Sequence, residues 1–205
     1  MSQDQIQKLQ MEIFEKQQQL FKMRKDSELK EVSNYEFETL EGKVKLIDLF
    51  LDKDTLFMIH NMGPGCRYCT LWADGLNGFL PHLETQYSVV LTSKSTPEDQ
   101  RKMANARGWR YRMVSHGGGD YIKEQTASFD PSSANSGNFP GLVCYVKKDG
   151  KVFRKNSVPF GPGDEFCSLW NIISLTGHSE AEFTPQFSYW KRPAKMEDGG
   201  ESLVD

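Results

Sequence analysis

The sequence predicts an α/β sandwich built on a central mixed sheet, and three observations carry that reading. Between residues 55 and 115, apolar strand-like segments alternate with helical ones, the order that produces parallel strands joined right-handedly. Farther on, two alternating segments meet at Asp149-Gly150, a dipeptide suited to the positive φ values of a two-residue hairpin, which adds antiparallel strands. A closing helical segment follows at residues 164–175. With 205 residues, 38% of them hydrophobic and 12% aromatic, the chain suits one domain with appended segments.

Residues 3–32 are rich in Gln, Lys and Glu and contain no Gly or Pro. Ile6, Leu9, Ile13, Leu20 and Met23 recur there at three-to-four-residue spacing, with Phe14 and Phe21 beside them, as in an amphipathic helix. Such a helix serves either as a dimerisation or partner helix or as a helix packed on its own domain. The second is the expectation, because most helical stability comes from such packing. Residues 35–46 alternate on both sides of Glu41-Gly42 and read as an added N-terminal β-hairpin. Residues 47–51 make a short apolar turn. Residues 55–60 are nearly all apolar, as a strand buried on both faces should be.

The Gly- and Pro-containing residues 61–65 break that strand, and a helical stretch runs to about Glu84, interrupted by Gly75 and Gly78. Residues 87–93 are the next strand. Thr96 is placed to cap a helix that opens with Pro97 and ends near Gly108. Residues 111–115 form a short strand. Residues 116–138 are Gly-, Ser- and Asn-rich, and a loop this long is usually functional or disordered. The acidic end, EDGGESLVD, has the composition of unstructured chain. The organisation expected is a helix at 1–34, the sandwich at 35–178 and a C-terminal extension at 179–205.

Composition narrows the function. With 25 Lys and Arg against 28 Asp and Glu, the formal charge is -3, which disfavours a cationic nucleic-acid binder and a polybasic membrane anchor. No apolar run approaches the roughly 18 residues of a membrane span. The first twenty residues lack the apolar core of a secretory signal. Four cysteines are too few for a disulfide scaffold, so the reducing cytoplasm is the expected compartment.

Cys66 and Cys69 carry the chemistry. Two residues separate them, just after a buried strand and at the start of a helix. Amides exposed at a helix N-terminus favour thiolate over thiol, so Cys66 is the expected nucleophile. Cys69, about one turn inward, is placed to resolve a mixed disulfide. Arg67 adds a cation beside the pair, and Asp74 reads as a surface carboxylate or, less favoured, a proton acceptor. Zinc also uses this cysteine spacing but wants a second ligand pair. Cys144 and Cys167 stand alone and His60, His82, His116 and His178 are scattered, so no metal is expected. Cys144 and Cys167 read as packing residues.

Other clusters read as structural. Arg101, Lys102, Arg107, Arg110 and Arg112, with Trp109 and Tyr111 among them, suit either a stacking cationic surface or a solvated helix face; the latter is expected. Gly117, Gly118 and Gly119 lack the Lys-Ser/Thr of a phosphate loop. Trp72, Trp109 and Trp170 suit a core or cleft wall. Residues 183–190 are expected to return their aromatics to the domain.

The stretches GCRYCTLWADG, RGWRYRMVS, PGLVCYV and FGPGDEFCSLW resemble the thioredoxin-like proteins grouped as domain of unknown function 899. The same block order runs from about Lys43 to Gly177. The resemblance implies a thioredoxin-like α/β/α sandwich related to the alkyl hydroperoxide reductase and thiol-specific antioxidant group. It also implies a redox pair at Cys66 and Cys69 and a cleft-shaping proline at Pro140, which is cis in thioredoxins; an ordinary trans proline is the alternative. Phe139, Pro140, Arg67 and Tyr68 would then contact the substrate. Thioredoxins usually carry Trp before the first cysteine and Pro before the second, where this chain has Gly65 and Tyr68. Peroxiredoxins place Thr three residues before the peroxidatic cysteine, where this chain has Gly63.

The resulting expectation is a cytoplasmic thiol–disulfide oxidoreductase acting on a protein or small-molecule thiol or disulfide, without a bound cofactor. A thiol peroxidase, or a non-catalytic binding or dimerisation module that forms a homodimer, are the alternatives.

Overall fold

The computed structural model describes residues 2–128 and 139–185. Among these residues, eight strands form one mixed sheet: β1 (Lys30–Val32), β2 (Glu36–Thr39), β3 (Gly42–Lys45), β4 (Thr55–His60), β5 (Ser88–Ser93), β6 (Arg112–Ser115), β7 (Gly141–Lys148) and β8 (Lys151–Pro159). Their order across the sheet is β1-β8-β7-β4-β5-β6-β2-β3. Parallel pairing joins β4 to β5 and β5 to β6; β7 runs antiparallel to β4, and β8 to β7. The helices are α1 (Gln3–Asp26), α2 (Arg67–Asn77), α3 (Leu80–Leu83), α4 (Pro97–Arg107), α5 (Asp120–Glu124) and α6 (Ser168–Ser174).

The apolar run of β4 is explained by its two covered faces. Leu56 and Met58 enter one core with Val90, Val114, Val143 and Tyr145, beneath a 3-10 turn at Leu46–Phe50 and helix α5. Ile59 points the other way, into a core with Leu91, Trp72, Ala73, Ala104 and Trp170, beneath α2, α4 and α6. The period-two alternation of strand side chains makes this division obligatory. The expected sandwich is therefore present, with one face covered by helices and the other largely by turns and one short helix.

Local signals hold well. Thr96 accepts from the Asp99 N–H at 3.3 Å, Pro97 opens α4, and Gly108 ends it at φ 69°. Asp149 and Gly150 have φ of 52° and 72°, as a primed hairpin turn demands. The N-terminal hairpin turns one residue earlier than its Gly suggests, since Thr39 pairs with Gly42 across Leu40 and Glu41.

The N-terminal segment differs from expectation in two ways. Helix α1 stops at Asp26, and Lys30–Val32 instead extends the sheet by pairing with β8. The helix also buries none of its residues among the described ones, so it does not pack on its own domain as expected. Only its end is tethered. The strand irregularity between Cys144 and Tyr145 leaves Lys155 out of register, and Lys155 Nζ donates to the carbonyls of Lys25 and Ser27, each at 2.7 Å. Asn156 Nδ2 donates to the Arg24 carbonyl at 3.1 Å. Cations and donors at the last carbonyls of a helix are favourable there.

The cationic cluster of residues 101–112 is dispersed by the fold. Trp109 and Tyr111 are buried in the helical-side core, and Arg112 donates to the Leu49 carbonyl at 2.9 Å and to the Ser88 hydroxyl. The residue 116–138 loop is less irregular than expected, because it contains α5; residues 129–138 lie outside the described residues. So does the acidic tail.

Tyr121 of α5 reaches the end of β4, where its hydroxyl meets His60 Nε2 at 2.7 Å, and Tyr145 donates to that hydroxyl at 3.3 Å. His60 is fully buried; desolvation first, then the like charges of His116 and Arg154, push its pKa down to about 3. The unfolded chain takes up this proton below about pH 6.5, whereas the folded chain resists until about pH 3. Stability contributed by neutral His60 is thus present above pH 6.5 and lost as pH falls toward 3, at up to ~1.4 kcal/mol per pH unit. Urea unfolding across this window should show a shallower decline in His60→Gln than in the wild type. Equal slopes would refute the assignment.

Candidate active site

The loop after β4 is built to deliver two cysteines to the end of α2. Asn61, itself buried, donates its backbone N–H to the Thr92 carbonyl at 2.9 Å, which binds the loop to β5. Its side chain accepts from the Gly63 N–H at 2.7 Å and donates to the Cys69 carbonyl at 3.2 Å. Gly63 has φ 93°, and a Cβ on it would stand 3.0 Å from Ser95 Oγ. A β-branched Thr there would be strained by the positive φ and would push on the Ser95 side chain. The backbone of this loop thus favours glycine where peroxiredoxins carry threonine.

Cys66 is the N-cap of α2, and its sulfur accepts the Cys69 N–H at 3.1 Å. Cys69 is buried, and its sulfur lies 3.5 Å from the Met62 N–H that donates to it. Both thiols are free, and Cys66 remains half-exposed. The hydrogen bond from the Cys69 thiol is the main influence lowering the Cys66 pKa to about 6; desolvation opposes it, and the N–H groups of Cys69 and Tyr68 help it. The same shared proton, together with burial, pushes Cys69 far up. The ionised form thus belongs to the outer sulfur. The expected contribution from Arg67 is replaced by this one: its guanidinium donates to the Pro185 carbonyl at 3.4 Å.

Aromatic side chains wall the helix beside the pair. The Tyr68 ring lies 6.1 Å from Trp72 and 6.3 Å from Trp170, Trp72 stacks on Phe160 at 5.3 Å, and Phe183 meets Trp170 edge-on at 6.2 Å. Phe183 thus returns to the domain as expected, while residues 186–190 lie outside the described residues. Pro140 sits at the same end of the sheet, because the following Gly141 pairs with His60. No described peptide bond is cis, so Pro140 is trans, and its carbonyl accepts the Phe160 N–H at 2.9 Å. Phe139 is half-buried beside it.

Two sequence readings change here. Asp74 is neither a surface carboxylate nor a proton acceptor for the cysteines: it receives Arg107 Nε at 2.9 Å, Arg107 Nη2 and Trp109 Nε1 at 2.7 Å. Cys144 is only partly buried, with its pKa pushed up to about 11 by desolvation, whereas Cys167 is buried and begins α6. Asn61 escaped the sequence reading altogether; its one visible signal was a polar residue ending an apolar strand. Among the described residues no group of three or more His, Cys, Asp or Glu side chains is placed to hold a metal. No described helix is long and apolar enough to cross a membrane.

Parallel strands β4 to β6, antiparallel β7 and β8 beside them, and a cysteine pair where β4 passes into α2 define a thioredoxin-type fold. Residues 4–195 match the family described as bacterial proteins of unknown function, DUF899, and the chain belongs to it. In fold it is similar to peroxiredoxin Q of Xanthomonas campestris, with a TM-score of 0.50 and 12% identity over 75% of this chain and 98% of that one. Its fold is likewise similar to that of AhpC of Enterococcus faecalis, with a TM-score of 0.50 and 10% identity over 73% and 91% of the two chains. No curated protein matches it in sequence.

Alkylation of the native protein should follow a titration centred near pH 6 that disappears in Cys66→Ser. In Cys69→Ala that midpoint should rise, since the thiol donor is lost; an unchanged midpoint would refute the shared-proton account. Asp74→Ala strips Arg107 and Trp109 of their acceptor and should cost about 2–4 kcal/mol in urea unfolding.

Proposed function

We propose that this protein is a thiol–disulfide oxidoreductase in which Cys66 attacks and Cys69 resolves. The observation that supports the reading is the half-exposed Cys66 sulfur at the N-cap of α2, accepting the Cys69 N–H beside the buried Cys69 thiol, a setting that lowers its pKa. The Cys66 thiolate attacks one sulfur of a substrate disulfide, forming a mixed disulfide and expelling the other sulfur as a thiolate. The anion that kept the proton on Cys69 is then gone. Cys69 ionises, its proton passing to the released thiolate, and it attacks Cys66 Sγ. The substrate leaves fully reduced and the protein carries a Cys66–Cys69 disulfide, which a second dithiol must reduce.

Tyr68, Arg67, Phe139 and Pro140 are the proposed contacts for the substrate, and no bound cofactor is required. The proposed setting is the cytoplasm, where reduced thiols are maintained. A thiol peroxidase is the second reading, favoured by the fold shared with the two peroxidase-group structures and opposed by Gly63 in the threonine position. A non-catalytic module is the third.

Equilibration with dithiol buffers should yield a Cys66–Cys69 disulfide at a potential between about -120 and -300 mV. Cys66→Ser should abolish turnover of a model disulfide, and Cys69→Ser should accumulate the mixed disulfide. Fully reduced cysteines throughout that range would overturn the proposal. Rapid peroxide consumption that survives in Cys69→Ser, without disulfide exchange, would establish the peroxidase reading instead.

A further inference from the structure

Helix α1 carries an apolar seam that the described residues leave open except at the partly covered Leu20. Ile6, Leu9, Ile13, Lys16, Leu20 and Met23 fall on alternating three- and four-residue steps, the a and d positions of a heptad, with Lys16 the single polar member. Ile6, Leu9, Ile13 and Met23 are 41%, 57%, 51% and 70% exposed. Phe14 and Phe21 are half-exposed beside them. Helices in proteins draw most of their stability from packing an apolar face, and the domain supports only the last turn of this one. We infer that a second copy of this chain covers the seam, the two α1 helices lying antiparallel about a two-fold axis through their midpoints.

Three features select that occupant and that orientation. Full antiparallel overlap of Gln3–Asp26 places Ile6 against Met23 and Leu9 against Leu20. It lays Ile13 over the aliphatic stem of Lys16, whose ammonium can reach water. Charge agrees: Asp4 lies in the first turn while Lys22, Arg24 and Lys25 gather at the other end, so Asp4 of one copy meets Lys25 of the other. Lys8 and Asp26 temper this asymmetry without reversing it. The helix dipoles also oppose each other, whereas a parallel pair would bring the basic ends together.

Space is present too. A groove of about 460 Å³ runs along the seam past Leu9, Glu12, Ile13, Lys16 and Leu20, with Glu165 at its side. Arg24 donates to Glu165 at 2.9 Å and fixes the groove to the domain. This inference stands apart from the redox reading, since no cysteine takes part.

Sedimentation of the full chain in reductant tests it. The wild type should have twice the 23.5 kDa mass of one chain at about 10–100 µM. The Leu9→Glu, Ile13→Glu double variant should have the single-chain mass, with unchanged sheet signal in circular dichroism and unchanged Cys66 alkylation. Zero-length carbodiimide cross-linking should join Asp4 to Lys25, which lie about 30 Å apart on one straight helix and can be linked only between copies. A single-chain mass in the wild type, or a dimer that persists in the double variant, would overturn the inference. Cross-links from Asp4 that reach Lys8 alone would overturn the antiparallel arrangement.

Discussion

The candidate site depends on one unequal division of a proton between two sulfurs. Cys66 sits where helix amides point outward, and Cys69 sits one turn inward, under the loop that closes on it. Burial alone would raise both thiols, as it does at Cys144. The hydrogen bond between the pair breaks the symmetry: it places the anion on the half-exposed sulfur and the proton on the buried one. The lower pKa and the greater exposure then coincide at Cys66.

That division requires a rigid frame on two sides. Strand β4 is apolar on both faces and hydrogen-bonded on both edges, so its end is a fixed point from which Asn61 can fasten the loop to β5 and to α2 at once. Across α2, Asp74 pins the far side to Arg107 and Trp109. Gly63 permits the backbone to turn between these fixtures, in a positive-φ conformation that disfavours the threonine of peroxiredoxins. The fold is similar to that of those proteins, whereas the loop that carries Cys66 and Cys69 has a backbone of its own at Gly63.

The N-terminal helix follows a different logic. Its capping box, with Ser2 and Gln5 exchanging side-chain and backbone hydrogen bonds, starts the helix, and the Lys155 bulge ends it. Between those ends its stability is not drawn from the described part of its own domain. A sequence stripe that ordinarily signals burial therefore lies open, and its periodicity describes a contact between chains more naturally than one within a chain.

Local rules made much of this protein legible from its sequence. The Thr96-Pro97 start of α4, the Asp149-Gly150 turn, the doubly buried β4 and the cysteines at a helix start all follow from backbone preferences acting over a few residues. The roles of Asn61 and Asp74, the pairing of Lys30–Val32 with β8 and the dispersal of the arginine cluster were hidden, because the deciding partners lie from eight to more than a hundred residues away. The trans state of Pro140 was equally hidden, since an X–Pro bond has only a slight intrinsic preference and its surroundings decide it. Sequence by itself determined which sulfur stands at the head of the helix. Only the tertiary structure decided that Cys69 would be buried while Cys66 stays half-exposed, because the packing that covers the inner thiol exists only once β4, α2 and the loop between them are assembled.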